Sequence, residues 1–312
     1  MEYSLEINKL IRQIETDHEH GAMYLAQKAL DVMALASEEH VGENPKEMLK
    51  ALWYVGKRLI EIRPSMSAPI IHAVTKLWES VYSEFLSNPA ICPLKGWIRE
   101  RRNQLLKQMN KAIGDSAENA TSLINEGATI FTLSYSSSVM EAMKYNASKK
   151  IKVVVSESRP LCEGVKTAEE CAKLGIETTL ITDAQTGLFL KDCQFVFVGA
   201  DAILPDGDVV NKAGTSLAAS IAFEYKIPFY VIATSWKIHP EQSVALEEKS
   251  PEQVLSGKHP FSIRNICFDI TSFTKIAAII TEKGSLFPSE ISSLFIPIQK
   301  SYKFFLSNPL SA

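Results

Sequence analysis

Side chains suited to anion binding are concentrated in residues 198–215, which read VGADAILPDGDVVNKAGT. Asp201 places a carboxylate directly after an apolar run that predicts a buried strand. Asn211 and Lys212 add an amide and a cation, and we expect them to open a helix whose N-terminus attracts anions. The combination indicates a binding site for a phosphorylated small molecule.

Two further segments carry polar side chains where a predicted strand ends, which is where ligands bind in open parallel sheets. Ser134 and Ser136 follow the run ATIFTL and lead into a predicted helix, where they either hold an anion or cap the helix. Arg159 follows the run KVVVS. Its planar guanidinium suits phosphate or carboxylate, and the alternative is a salt bridge to a neighbouring glutamate.

The elements that position these residues differ between the two halves of the chain. Residues 45–62 carry Met48, Leu52, Val55 and Leu59 at steps of three and four, a spacing that predicts a core-facing helix. Similar patterns continue to about residue 123, and from residue 128 apolar strand runs alternate with helical segments. We therefore predict a helical domain over 1–119 and a doubly wound α/β domain with a mainly parallel sheet over 120–312.

Composition argues against several functional classes. The 33 basic and 36 acidic residues offer no bulk attraction to a polyanion, so direct nucleic-acid binding is not expected. Five cysteines without CxxC spacing suggest no metal site, and the absence of GxGxxG and GxxxxGK[ST] gives no support for a nucleotide cofactor. With no long apolar run and no export signal, we expect no membrane span and a cytoplasmic location.

Six segments in the second half resemble one family: the alpha, beta and delta subunits of translation initiation factor 2B, with the related methylthioribose-1-phosphate and ribose-1,5-bisphosphate isomerases. The matching segments are ESRP (157–160), GIETTLITD (175–183), VGADAI (198–203), GDVVNKAGT (207–215), PFYVIA (228–233) and NICFDITSFTKIAAIITEKG (265–284). The resemblance implies a Rossmann-like second domain, a homodimer or higher oligomer, partners in the translation machinery and a pocket for a phosphorylated sugar or nucleotide. It also implies a helix over 269–282 that takes part in subunit contact.

The isomerases of this family also imply roles for individual residues. Asp201 matches their catalytic aspartate, whereas Ser134 stands at the position of their catalytic cysteine. His20 and Gly21 stand where the isomerases carry an arginine and a glycine that hold phosphate. A serine hydroxyl needs an added base where a thiol titrates near neutrality, and Cys162 is an alternative source of a thiol.

Two functions follow from this mixed pattern. The first is an initiation-factor-2B-like protein that binds or senses a phosphorylated metabolite without catalysis, as the loss of the cysteine favours. The second is an aldose–ketose isomerase acting on a ribose 1-phosphate, as the retained Asp201 favours. The ligand-binding residues predicted for both are His20, Gly21, Ser134, Ser136, Arg159, Asp201, Asn211 and Lys212, with no cofactor and no metal.

Overall fold

A computed structural model describes residues 4–17, 19–287 and 290–310 of the chain. The first half is helical, as predicted, and its apolar spacing forms the inner faces of the helices. Asn44 caps the third helix by accepting a hydrogen bond from the Lys46 N–H at 3.0 Å, and Pro45 occupies the first turn. The five helices are α1 (Leu5–Thr16), α2 (Ala22–Glu38), α3 (Pro45–Glu61), α4 (Ser67–Ser87) and α5 (Ile91–Ala120).

The second half contains a seven-stranded sheet whose strands are parallel except for the last. Its order is β10-β9-β7-β4-β1-β2-β3, and the central strands β4 and β1 are apolar almost throughout because helices cover both faces of the sheet. The strands are β1 (Thr129–Leu133), β2 (Lys152–Ser156), β3 (Glu177–Ile181), β4 (Phe195–Val198), β7 (Phe229–Ile232), β9 (Ala278–Thr281) and β10 (Gly284–Leu286). The helices around the sheet are α6 (Ser137–Asn146), α7 (Glu163–Lys173), α8 (Thr186–Phe189) and α9 (Thr215–Glu224). The predicted α/β class is confirmed.

A small antiparallel sheet, which the sequence did not predict, covers the end of the large one. It joins β5 (Ala202–Ile203), β6 (Val209–Lys212) and β8 (Phe268–Thr271). Lys212 is therefore the last residue of a strand, and the prediction that it opens a helix is wrong. Gly214 turns the chain with φ near 107°, and α9 begins at Thr215.

The helix predicted over 269–282 is also wrong. Residues 268–271 pair with β6 and residues 278–281 pair with β7, so two strands and a short 3₁₀ turn occupy this stretch. Strand pairing decides the outcome, because β-branched residues such as Ile270, Thr271, Ile279 and Ile280 pack well on a pleated surface.

The last helix, α10 (Ile291–Leu306), returns to the helical half. Phe305 is fully buried against Trp53 and Trp78, and its carbonyl accepts a hydrogen bond from the Trp53 indole N–H at 2.7 Å. The apolar core of the helices also includes Trp236, from the segment that follows β7. The helical core thus takes side chains from both halves, and the domain boundary at 119/120 stays a prediction.

Replacing Phe305 tests how far the helical half depends on this returning helix. We expect Phe305→Ala to lower the free energy of unfolding by about 3–5 kcal/mol, because it removes a fully buried ring and leaves a cavity. The neighbouring Leu306 is 42% exposed, so Leu306→Ala is a matched control with a much smaller effect. Chemical denaturation of both variants measures the difference, and equal losses would contradict the packing described.

A candidate anion pocket at the strand ends

Two adjoining cavities of about 90 and 210 Å³ lie beyond the carboxyl ends of β1 and β4. Six residues line both of them: Glu19, His20, Gly21, Ser134, Tyr135 and Asp201. We refer to the joined cavities as the strand-end pocket. Of the predicted ligand residues, the structure brings seven together here: His20, Gly21, Ser134, Ser136, Asp201, Asn211 and Lys212. Their role toward a ligand stays a prediction.

Asp201 lies three residues after the end of β4 and faces the pocket. Its backbone N–H donates to the carbonyl of Val210 at 2.8 Å, so the small antiparallel sheet fixes its position. Burial raises the pKa of Asp201 to about 6, although the positive charges of Lys237 and Arg63 oppose the shift. Near neutrality this carboxyl can therefore both give and accept a proton.

Lys237 enters the same pocket from the end of β7, the strand beside β4. Only 6% of the surface of Lys237 is exposed. Burial lowers the pKa of its ammonium, and the negative charge of Asp201 opposes this shift. No hydrogen bond or ion pair to its ammonium is found within the described part of the chain. A buried ammonium without a direct partner is costly, so it favours an anionic or hydroxyl-bearing ligand.

Ser134 directly follows β1 and adopts the left-handed conformation, with φ near 57°. Two side chains hold it there: its N–H donates to the Ser158 hydroxyl at 2.7 Å, and its carbonyl accepts from the Thr167 hydroxyl at 2.6 Å. A non-glycine residue in this region is strained, and such strain persists where the surroundings fix it. These contacts fix the backbone of Ser134 in the wall of the pocket.

Ser136 caps helix α6 and also lines the pocket. Its hydroxyl accepts from the Val139 N–H at 3.5 Å, so the capping alternative is confirmed. Gly199, at the end of β4, lies against it: a Cβ on this glycine would lie 2.5 Å from the Ser136 hydroxyl oxygen. Only glycine lets the two strand ends approach this closely, which brings the N-terminus of α6 beside Asp201.

His20 and Gly21 reach the pocket from the loop between α1 and α2. The Asp17 carboxylate accepts the backbone N–H groups of Glu19 and His20, each at 2.9 Å, and lies 2.8 Å from the His20 Nδ1. The ring of His20 stacks on that of Tyr24 at 4.0 Å between centroids. The imidazole is therefore held in one orientation at the rim of the pocket.

Arg63 fastens this loop to the rest of the site, and its side chain is almost completely buried. One terminal nitrogen donates to the carbonyls of Ile14 and Asp17, and its Nε donates to the Glu247 carboxylate at 3.2 Å. Glu247 in turn pairs with Lys249 at 2.5 Å. Three distant parts of the sequence thus meet at one guanidinium.

Lys212 and Asn211 lie on β6 and are both buried. The Lys212 ammonium donates to the Glu163 carboxylate at 2.8 Å, at the start of α7. The other Glu163 oxygen is buried without a hydrogen-bond partner among the described residues. The amide nitrogen of Asn211 donates to the Thr215 hydroxyl at 3.0 Å, and the residue lines the larger of the two cavities.

Arg159 does not line the pocket in the structure. Its guanidinium is exposed and donates to the carbonyl of Val254 at 3.1 Å, while its backbone N–H donates to Asp183. Cys162 is likewise absent from the lining, with its sulfur 3.9 Å from the carbonyl oxygen of Pro160. The thiol that does line the pocket belongs to Cys267, and burial raises its pKa, so it stays protonated at neutral pH.

Sequence reasoning missed Arg63, Lys237, Lys249 and Cys267. The strand-end rule is the signal that points to Lys237, since this residue follows the end of β7 by five residues. Arg63 lies just after α3, in the helical half, and Lys249 lies in the long loop between β7 and β8. No local sequence pattern connects either residue with the ends of the strands. Among the described residues, no three metal-ligating side chains converge.

Comparison with known proteins identifies the family of the chain. The model of the initiation factor 2 subunit family matches residues 18–288. The chain belongs to this family. It is 35% identical over 285 residues to a translation initiation factor eIF-2B subunit 2-like protein of Pyrococcus abyssi, covering 90% of this chain and 96% of that protein.

Other relatives of the chain carry a different name. The chain is 35% identical over 272 residues to ribose 1,5-bisphosphate isomerase of Methanocaldococcus jannaschii, covering 84% of each. Its fold matches the crystal structure of the Pyrococcus horikoshii translation initiation factor eIF-2B with a TM-score of 0.79 and 31% identity, over 92% of this chain and 98% of that one. None of the described helices has the length and apolar content that crossing a bilayer requires.

The raised pKa of Asp201 predicts how the free energy of unfolding depends on pH. A carboxyl whose pKa is raised by folding binds its proton more tightly in the folded state, so its contribution to stability falls as the pH rises from about 4 to 6. Asn does not titrate, so the free energy of unfolding of Asp201→Asn relative to wild type should rise by roughly 1–2 kcal/mol across this window.

Urea denaturation at pH 4, 5, 6 and 7 measures this difference. Asp206→Asn is the control, because Asp206 is an exposed carboxyl in the turn between β5 and β6 and should leave the pH dependence unchanged. A difference between Asp201→Asn and wild type that does not vary with pH would show that this carboxyl is not held in its protonated form.

Proposed function

We propose that the chain binds a phosphorylated sugar or nucleotide in the strand-end pocket and acts as an initiation-factor-2B-like binding or regulatory protein. The observation that carries the proposal is the buried Lys237 ammonium, which lines the pocket with Asp201 and has no direct partner among the described residues. A bound anion would supply the missing interaction and stabilise the folded state.

The rest of the lining supports a phosphate rather than a simple halide or carboxylate. Lys212 and Lys249 add cations at one end, and the first N–H groups of α6 add the positive end of a helix dipole at the other. Hydroxyls at Ser134 and Ser136 can hydrogen-bond a sugar or a phosphate oxygen. The two ends suit a ligand that carries one or two phosphates on a polar body.

The binding role, rather than catalysis, is favoured by the side chain at residue 134. A buried thiol at this position would titrate closer to neutrality than a hydroxyl, and the thiol that lines the pocket, Cys267, has a raised pKa. The similarity to the eIF-2B subunit 2-like protein, which covers almost the whole length of that relative, supports the same reading.

Ligand binding is tested directly by calorimetry with ribose 1,5-bisphosphate, ribose 5-phosphate and nucleoside monophosphates. We expect at least one of them to bind, and at a hundredfold excess over Kd to raise stability by about 2.7 kcal/mol. Lys212→Met should weaken binding at least tenfold, because it removes a buried cation from the lining.

Two further variants separate lost binding from lost folding. Lys212→Met combined with Glu163→Gln removes both charges of the pair and so avoids an unpaired buried carboxylate. Lys107→Met changes an exposed lysine on α5 and serves as the control. If no phosphorylated compound binds to wild type, the proposed function is wrong.

A second candidate function is aldose–ketose isomerisation of a ribose 1-phosphate. The observation that favours it is Asp201, whose pKa of about 6 suits a residue that both gives and takes a proton between C1 and C2. The similarity to ribose 1,5-bisphosphate isomerase of Methanocaldococcus jannaschii supports the same candidate. Ser134 or Cys267 would then have to provide the second proton-transferring group.

The isomerase candidate is tested by NMR detection of the ketose formed from ribose 1,5-bisphosphate or methylthioribose 1-phosphate. If the candidate is right, wild type turns over, Asp201→Asn abolishes turnover, and Ser134→Cys increases it. If binding occurs without turnover in wild type and in Ser134→Cys, the regulatory reading stands and the isomerase is excluded. Ser134→Ala controls for the change of side chain without adding a thiol.

We also propose a homodimer or higher oligomer, with protein partners in the translation machinery and a cytoplasmic location. Large apolar side chains are exposed on two neighbouring helices: Leu188 on α8 is 63% exposed, and Leu217 and Phe223 on α9 are 55% and 63% exposed. Exposed apolar patches of this kind mark interaction surfaces. The similarity to a translation initiation factor eIF-2B subunit 2-like protein supports the translation partners.

Light scattering of the purified chain measures its oligomeric state. We expect more than one copy per particle, and a monomer for the double variant Leu217→Asp and Phe223→Asp, because burying two carboxylates in an apolar contact is unfavourable. Leu5→Asp, an equally apolar and 91% exposed position at the start of α1, is the control. A monomeric wild type at micromolar concentration would contradict the proposed oligomer.

A further inference from the structure

A second cavity, of about 250 Å³, lies behind the strand-end pocket, between α4, α10 and the 3₁₀ turn Ser235–Lys237. We call it the rear cavity; its lining shares no residue with that of the strand-end pocket. Leu294 and Ile298 give it an apolar wall, and its lining also contains two lysines, Lys76 and Lys283.

Within the described part of the chain, neither lysine forms an ion pair with a carboxylate. The Lys76 ammonium lies 4.3 Å from the centre of the Trp236 ring, and no carboxylate pairs with it among the residues the structure describes. The two glutamates whose charges it feels are otherwise engaged: Glu79 accepts from the Ser301 hydroxyl at 2.6 Å, and Glu282 accepts the N–H and hydroxyl of Ser235. Burial and the nearby Arg101 both lower the pKa of Lys76, as expected for a cation in a positive environment.

A backbone acceptor completes the cavity. Pro297 lies inside α10 and has no N–H, so the carbonyl of Ser293, four residues earlier, lacks its helical donor. Both residues line the rear cavity. The space therefore offers two ammonium donors, one carbonyl acceptor without its helical partner and an apolar wall, which together fit a ligand with a charged head and a nonpolar body.

We propose that the rear cavity binds a small organic anion, an anionic head group on an apolar body, and that this site regulates the strand-end pocket. The charged head would lie between Lys76 and Lys283, and the body would pack on Leu294 and Ile298. The claim that the rear cavity binds an anion does not depend on the ligand of the strand-end pocket.

The link between the two sites is the turn that follows β7. Ser235 lines the rear cavity, and Lys237, two residues later, lines the strand-end pocket. Trp236 lies between these two residues, and its ring contacts the Lys76 ammonium. The carbonyl oxygen of Ile238, the residue after Lys237, lies 3.0 Å from the His72 Nε2. An anion that draws Lys76 off the Trp236 ring changes the packing that orients Lys237, and coupling of this kind acts equally in both directions. The claim that the rear cavity regulates the strand-end pocket rests on the proposed function.

Binding at the rear cavity is tested by calorimetry with phenyl phosphate and benzoate, with the uncharged benzyl alcohol as a negative probe. We expect a charged probe to bind wild type, and Lys76→Met and Lys283→Met each to weaken binding at least fivefold. Lys283 is exposed, so its variant keeps the fold even if Lys76→Met does not. Lys212→Met and Lys107→Met should leave this affinity within twofold of wild type.

Three results would overturn the site: no binding of either anion up to about 10 mM, equal binding of benzyl alcohol, or a loss that follows Lys212→Met instead. The last result would assign the probe to the strand-end pocket. For the regulatory half, a saturating probe should change the Kd of the sugar phosphate at least threefold in wild type and not in Lys283→Met. An unchanged Kd in wild type would refute the coupling while leaving the proposed function intact.

Discussion

The buried guanidinium of Arg63 is the contact on which the strand-end pocket depends. It joins the carbonyls of Ile14 and Asp17, in the loop that carries His20, to the carboxylate of Glu247. Buried charges are stable only when their hydrogen-bonding groups are satisfied, and Arg63 is satisfied by all of these partners at once. The end of α1 and the loop that follows it, the segment after α3 and the loop before β8 are therefore held together at the pocket.

Two charged side chains of the pocket are not neutralised by direct ion pairs among the described residues. Asp201 and Lys237 influence each other electrostatically, yet no ion pair within 4.0 Å joins them in the described residues. Such an arrangement lowers the stability of the empty protein and is compensated when a ligand binds only to the folded state. The same reasoning applies more weakly to the rear cavity, where Lys76 rests on an aromatic ring instead of a carboxylate.

Relatives of this chain are named both as an initiation factor subunit-like protein and as an isomerase, so a shared fold does not by itself establish a function. Ser134 keeps the strained backbone geometry of a functional position while its hydroxyl lacks the titration of a thiol. Asp201 keeps the protonation behaviour that proton transfer would need.

The sequence alone determined the helical first half, the α/β second half and the cluster of candidate residues at the ends of β1 and β4. These features follow from local periodicity and from the rule that parallel strands place their carboxyl ends on one edge. The tertiary structure alone decided that Lys212 ends a strand, that Arg159 faces Val254, and that Arg63 and Lys237 reach the pocket. Strand pairing and side-chain direction depend on residues far apart in the sequence, and no local pattern reports which of those residues meet.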